Sequence, residues 1–252
     1  MFTSEERRAL RDNLVARARS DEHVIGAALV GSAAAGSEDD WSDIDLALQL
    51  GLDAELSAVV QAWTDVMYAD HGAVHHLDVW RGETLYRVFL FANSLQVDLS
   101  FWSADDFRAT TPSFRLLFGE AAPPRIDPAP SVEHLAGMGW LYALHVRSAL
   151  ARGRLWQAVH MLDGMRDQVV GLACARHGLP AHQGRGVDQL PGGFLQGLCE
   201  TRAKDVELDE LHRAFVATTR LLLAEIAQAA PELAARLAGP MKELVARPEN
   251  QP

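Results

Sequence analysis

Period-two and period-three-to-four patterns of apolar residues divide this chain into two halves of different character. Thr3 and Glu6 have capping-box spacing, and Glu5 to Arg19 follows as an amphipathic helix with Leu10, Leu14 and Ala18 on one side. Ile25 to Val30 is a run of small apolar residues that ends at Gly31, which predicts a strand entering a tight turn. A second strand begins near Ser42. There Ile44, Leu46 and Leu48 share one face and Asp43 and Asp45 the other. Asp53 to Tyr68 reads as a helix, with Leu56, Val59, Val60, Trp63 and Met67 at helical spacing. Three strands follow, Ala73 to Trp80, Thr84 to Ala92 and Leu95 to Trp102. Gly82 and Asn93-Ser94 turn the chain between them, which predicts a meander. In the last of the three, Leu95, Val97, Leu99 and Phe101 alternate with Gln96, Asp98, Ser100 and Trp102, so Asp98 stands on the more polar face.

Beyond Pro123, Pro124, Pro128 and Pro130 the strand pattern is gone, and the prolines mark a domain junction. Ser131 caps a helix running to about Leu150. A second covers Leu155 to about Arg176, with Leu155, Val159, Leu162, Met165, Val169 and Leu172 as one buried stripe. Ala181 to Gly193 reads as loop. Glu207 to Ala229 and Glu232 to Val245 form a last helical pair, and Arg247 to Pro252 a frayed tail. The predicted fold class is α/β (α+β): residues 1-124 form a mixed sheet with flanking helices, and residues 125-252 a helical bundle. The cleft between the two is the expected active site.

Charge sharpens the contrast between the halves. Residues 1 to 124 hold 20 acids against 9 Lys and Arg, while the remainder holds 14 of each, so the whole formal net charge of -11 lies in the first half. Such a distribution disfavours nucleic acid as a partner and suits a small cationic molecule. No apolar run is long enough to span a membrane, and Met1 to Ser20 is too charged for a signal peptide, so a cytoplasmic protein is expected. Cys174 and Cys199 lack zinc-ligand spacing and a redox motif, and are expected as two reduced, buried thiols.

Chemistry concentrates between Gly31 and Asp45. Two carboxylates two residues apart on a strand originate roughly 6 to 7 Å apart and can converge on one hard cation. Oxygen-only ligation suits Mg²⁺, which completes its shell with water and substrate phosphates. Gly31 permits close approach of a phosphate, and the Ser32 hydroxyl with the amides of a following short helix can hold it. His75 and His76 are adjacent on a strand and face opposite ways, so they cannot chelate one metal together.

An apolar residue, Gly31-Ser32, a gap of ten, then Asp43-Ile44-Asp45-Leu46 resembles the nucleotidyltransferases of the DNA polymerase beta-like superfamily. Its nearest likeness is to the aminoglycoside and lincosamide nucleotidyltransferases. The resemblance implies an N-terminal nucleotidyltransferase domain that transfers a nucleoside monophosphate from a nucleoside triphosphate, ATP by analogy, to a hydroxyl of a small acceptor such as an antibiotic. It implies Mg²⁺ held by Asp43 and Asp45, with a third carboxylate that completes the metal site or acts as base. Asp98 fills that role, with Asp78 as its rival. Gly31, Ser32 and, in the 181 to 193 loop, Arg185 are the expected nucleotide contacts. A protein-partner module of the nucleotidyltransferase-like antitoxin type is the alternative. Arg154 and His160 loosely match the spacing of the toxin-type helical ribonucleases, but Leu155 stands where a polar residue is usual. Trp156, His160, Asp163 and Asp167 line a helix face read as solvated rather than as an acceptor surface. The sequence leaves the acceptor, the base of the triphosphate and the oligomeric state open.

Overall fold

One face of the sheet packs on helices, and the other carries a smaller apolar cluster, with Asp45 and Asp98 half-buried on that side. The computed structural model describes residues 1 to 246; the tail from Arg247 lies outside them. The chain divides into two compact units, Met1–Asp127 and a second that begins at Pro128.

In the first unit α1 (Ser4–Ser20) starts in the expected capping box, where Thr3 Oγ1 accepts from the Glu6 amide and Glu6 reaches back to the Thr3 amide. The elements that follow are β1 (Val24–Val30), α2 (Gly31–Ala35), β2 (Ile44–Leu50), α3 (Leu56–Ala69), β3 (Ala73–Arg81), β4 (Thr84–Phe91), β5 (Gln96–Trp102) and β6 (Phe114–Phe118). The sheet order is β3-β4-β5-β2-β1-β6. β3, β4 and β5 form the expected antiparallel meander. β5 then lies parallel to β2, which pairs antiparallel with β1, and β1 with β6. β6 is a strand that the sequence pattern did not predict.

Leu14 and Ala18 of α1 and Val59, Val60, Trp63 and Met67 of α3 pack with Ile44, Leu46 and Leu48 of β2 and Val97, Leu99 and Phe101 of β5 in one core. Full burial of large apolar side chains such as Trp63 and Phe101 stabilises the fold by about 1.5 to 3 kcal/mol each. Alternation puts Asp45, Ala47 and Gln49 of β2 and Asp98, Ser100 and Trp102 of β5 on the opposite face. On that face Ala28, Ala47, Trp102 and Phe107 form a second, smaller cluster, flanked by Val30, Tyr86 and Phe114.

The second unit consists of α4 (Val132–Ala151), α5 (Leu155–His177), α6 (Gly192–Glu200), α7 (Leu208–Ala229) and α8 (Pro231–Val245). Ser131 caps α4 as expected, its hydroxyl accepting from the His134 amide at 3.1 Å. The α5 stripe of Leu162, Met165, Val169 and Leu172 meets Leu211, Phe215, Leu222 and Ile226 of α7. At the margin of that core the exposed Arg176 reaches the buried Glu225 carboxylate, with Nη2 at 2.9 Å.

Two expectations for this unit need correction. The stretch from Ala181 to Gly193 is not plain loop, because His182–Gly184 and Val187–Gln189 are 3₁₀ turns and α6 begins at Gly192. Cys174 is buried, but Cys199 on α6 is exposed, so only one of the two free thiols is a core residue. Among the described residues no helix is long and apolar enough to cross a membrane.

Candidate functional site

The turn from β1 into α2, the start of β2 and the start of β5 meet at one end of the sheet. Gly31 takes a φ of +62°, which lets the chain leave β1 and enter the one-turn helix α2 directly. A Cβ at this position would lie 2.3 Å from Asp45 Oδ2, so the Asp45 carboxylate rests against the bare Cα of Gly31. Beside it the Ser32 Oγ is buried without a hydrogen-bond partner. A buried hydroxyl left unsatisfied in the protein alone is a group with capacity for a ligand.

Parallel register pairs Asp45 with Asp98 across β2 and β5. Both carboxylates therefore stand on the face opposite the helices, half-buried. Asp43 lies one residue before β2. The Gln96 amide joins this third acid to the pair, its Nε2 donating to Asp98 Oδ1 at 3.1 Å and to Asp43 Oδ2 at 3.5 Å. Burial pushes the Asp98 carboxyl up to about 6, the Gln96 bond opposes this, and the nearby charge of Asp43 adds to it. Gln96 is a site residue that sequence reasoning passed over. Its signal was its position two before Asp98, which places both on one strand face.

Asp78 is elsewhere. It pairs in register with Arg87, whose neighbour on β5 is Leu99, so Asp78 and Arg87 face the helices. Arg87 holds both Asp78 oxygens, at 2.6 and 2.7 Å, and donates to Thr64 of α3 at 2.7 Å. That bond is the main reason the Asp78 pKa is lowered. Arg185 belongs to the second unit, exposed between its two 3₁₀ turns. On α5, Trp156, His160, Asp163 and Asp167 are all exposed, and Asp163 is bonded to Arg166.

Among the described residues no three His, Cys, Asp or Glu side chains are gathered closely enough to hold a metal ion by themselves. Mg²⁺ does not need such a cage, since one or two carboxylates with waters and substrate phosphates complete its octahedron. The donor set here is of that kind: all-oxygen and acidic, with an orphaned hydroxyl beside it. These residues fit a hard divalent cation carried with a phosphate ligand.

Fold and site together define a mixed α/β unit with three acids and a glycine turn at one sheet end, followed by a helical unit. No protein-family model matches the sequence, and no curated protein matches it. Among solved structures the chain is similar to an aminoglycoside 6-adenyltransferase from Bacillus subtilis, with 12% identity, a TM-score of 0.43, and coverage of 98% of this chain and 100% of that one.

Proposed function

We propose that this protein transfers a nucleoside monophosphate from a nucleoside triphosphate, ATP in the first instance, to a hydroxyl of a small cationic acceptor such as an aminoglycoside. The observation that carries the reading is the juxtaposition of Asp43, Asp45 and Asp98 with the Gly31-Ser32 turn at one end of the sheet. Asp43 and Asp45 would hold Mg²⁺ together with the triphosphate. When bound, the cation would offset the negative charge that develops during in-line displacement. Ser32 Oγ has an open hydrogen-bonding capacity for a phosphate oxygen.

Asp98 is the base. Its pKa near 6 leaves it ionised at neutral pH, yet more basic than an ordinary aspartate, which is the range a general base needs. It takes the proton of the acceptor hydroxyl as that oxygen bonds to the α-phosphorus, and the bond to the departing pyrophosphate breaks. The 20 acids of residues 1 to 124 favour a cationic acceptor.

The test is incubation with Mg²⁺, labelled nucleoside triphosphates and a panel of aminoglycosides and lincosamides, read by mass spectrometry. A nucleotide adduct on one of them is expected. Adducts on none, with one on a protein chain, would replace this reading with a protein-modifying module.

A further inference from the structure

Between α2 and β2 the chain runs through residues 36 to 43, the segment that joins the Ser32 turn to Asp43. Three side chains at one face of α1 grip it. Ser4, Arg7 and Arg11 are spaced by three and four, so they line up along the helix. Ser4 Oγ donates to Asp40 Oδ1 at 2.6 Å. Arg11 Nη1 bonds Glu38 Oε2 at 2.7 Å. Arg7 is the centre of the grip: only 3% exposed, it donates through Nη1 to the Asp39 carbonyl and, at 3.3 Å, to the Ser42 carbonyl, with Nε 3.4 Å from Glu38 Oε1.

The segment also braces itself. The Asp39 carboxylate accepts from the Trp41 amide at 2.9 Å and from Ser42 Oγ at 3.0 Å. A buried arginine is retained at a desolvation cost that core packing alone does not require. Here its guanidinium binds the main chain on either side of the turn leading into Asp43. Carbonyl contacts of that kind fix backbone position rather than merely balancing charge.

We propose that Arg7 is a positioning residue: through the Asp39 and Ser42 carbonyls it sets where Asp43 presents its carboxylate to a cation–nucleotide ligand. The inference rests on the nucleotidyl-transfer reading for its ligand but not for its mechanics. Two readouts separate them. The first is Mn²⁺ uptake with a nucleoside triphosphate, followed by the Mn²⁺ electron paramagnetic resonance signal. The second is amide hydrogen exchange over residues 36 to 45, which needs no ligand.

The variants are Arg7→Met, Arg7→Lys and, as control, Arg17→Met. Arg17 lies on the same helix, but its guanidinium sits 5.0 Å over the Trp63 ring, away from the segment. Arg7→Met is expected to weaken Mn²⁺–nucleotide binding about 10- to 100-fold, the range seen when groups behind a metal ligand are removed, and to speed exchange in 36 to 45. Arg7→Lys should recover part of both, and Arg17→Met should leave both unchanged. Should Arg7→Met fail to fold, Glu38→Gln, which loosens the Arg7 and Arg11 contacts together, is expected to show the same two changes in smaller measure. Wild-type binding in a folded Arg7→Met, or equal losses in the Arg17→Met control, overturns the inference. If the wild type takes up no Mn²⁺–nucleotide, the transfer reading fails. Unchanged exchange in Arg7→Met then sinks the positioning role as well, and faster exchange keeps it as a property of the fold.

Discussion

The carboxylate of Asp45 lies where a side chain on residue 31 would have to go, 2.3 Å from the position of a Cβ on Gly31. Gly31→Ala must therefore displace Asp45 as well as strain a backbone held at φ +62°. The strain is expected to lower stability by about 1 to 2 kcal/mol. Loss of transfer should far exceed that fraction of unfolded protein, which activity assays alongside denaturant melts will show.

Asp43→Asn and Asp45→Asn are expected to abolish nucleotidyl transfer while the protein stays folded. Asp43→Asn should also lower the Asp98 pKa, because the charge of Asp43 is one of the causes that raise it. Carboxyl-detected NMR titration of Asp98 checks the second outcome, and retained transfer in either variant would sink the assignment of these acids.

Asp98 makes the fold weaker as pH rises. Its carboxyl holds a proton more tightly in the folded than in the unfolded chain, so stability is greatest below the ordinary value of 3.8, declines between there and about 6, and stays reduced above. The full penalty corresponds to at most about 3 kcal/mol, less what solvent screening removes. Asp98→Asn should be more stable than the wild type in urea at pH 7.5, lose that advantage near pH 4, and be inactive throughout.

Asp78→Asn separates the rival acids. It should leave transfer intact while lowering stability by about 1 to 3 kcal/mol, because Arg87 loses a charged partner beside Thr64. The Asp78 pKa is lowered, so the stability this pair provides is present above the ordinary carboxylate range and lost as pH falls through it. Urea midpoints at pH 3 and 7 test the sign.

How much of this was legible follows from the range over which each signal acts. Strand alternation is a local property, and it was enough to put Asp45 opposite the core face and Asp98 on a polar face, whereas Asp43 lies one residue before β2. The parallel seating of β5 against β2, which unites them, is long-range and left no mark in the spacing. β6 escaped because Phe114–Phe118 reads Phe-Arg-Leu-Leu-Phe, without alternation, and its strand character comes from pairing with β1. α6 escaped because it opens on Gly192 and Gly193, poor helix formers whose cost is met by tertiary packing of Phe194. Arg7 stands three, seven and eleven residues before Leu10, Leu14 and Ala18, on their stripe of α1 and not on its polar side. That spacing was the mark of its burial, and its charge hid it.

The pairing of β5 with β2 also bears on how the chain reaches its working state. The β3-β4-β5 meander is built from near neighbours in sequence, and such hairpins form early and cheaply. Gln96 and Asp43, by contrast, meet across 53 residues, and closing that loop carries an entropic cost that local contacts do not. Asp98 is thus apart from Asp43 and Asp45 in any species that has only its hairpins, and the arrangement proposed to gather a cation and a triphosphate comes with the long-range closure. Nascent or partly folded chains have the residues of the site but not the site.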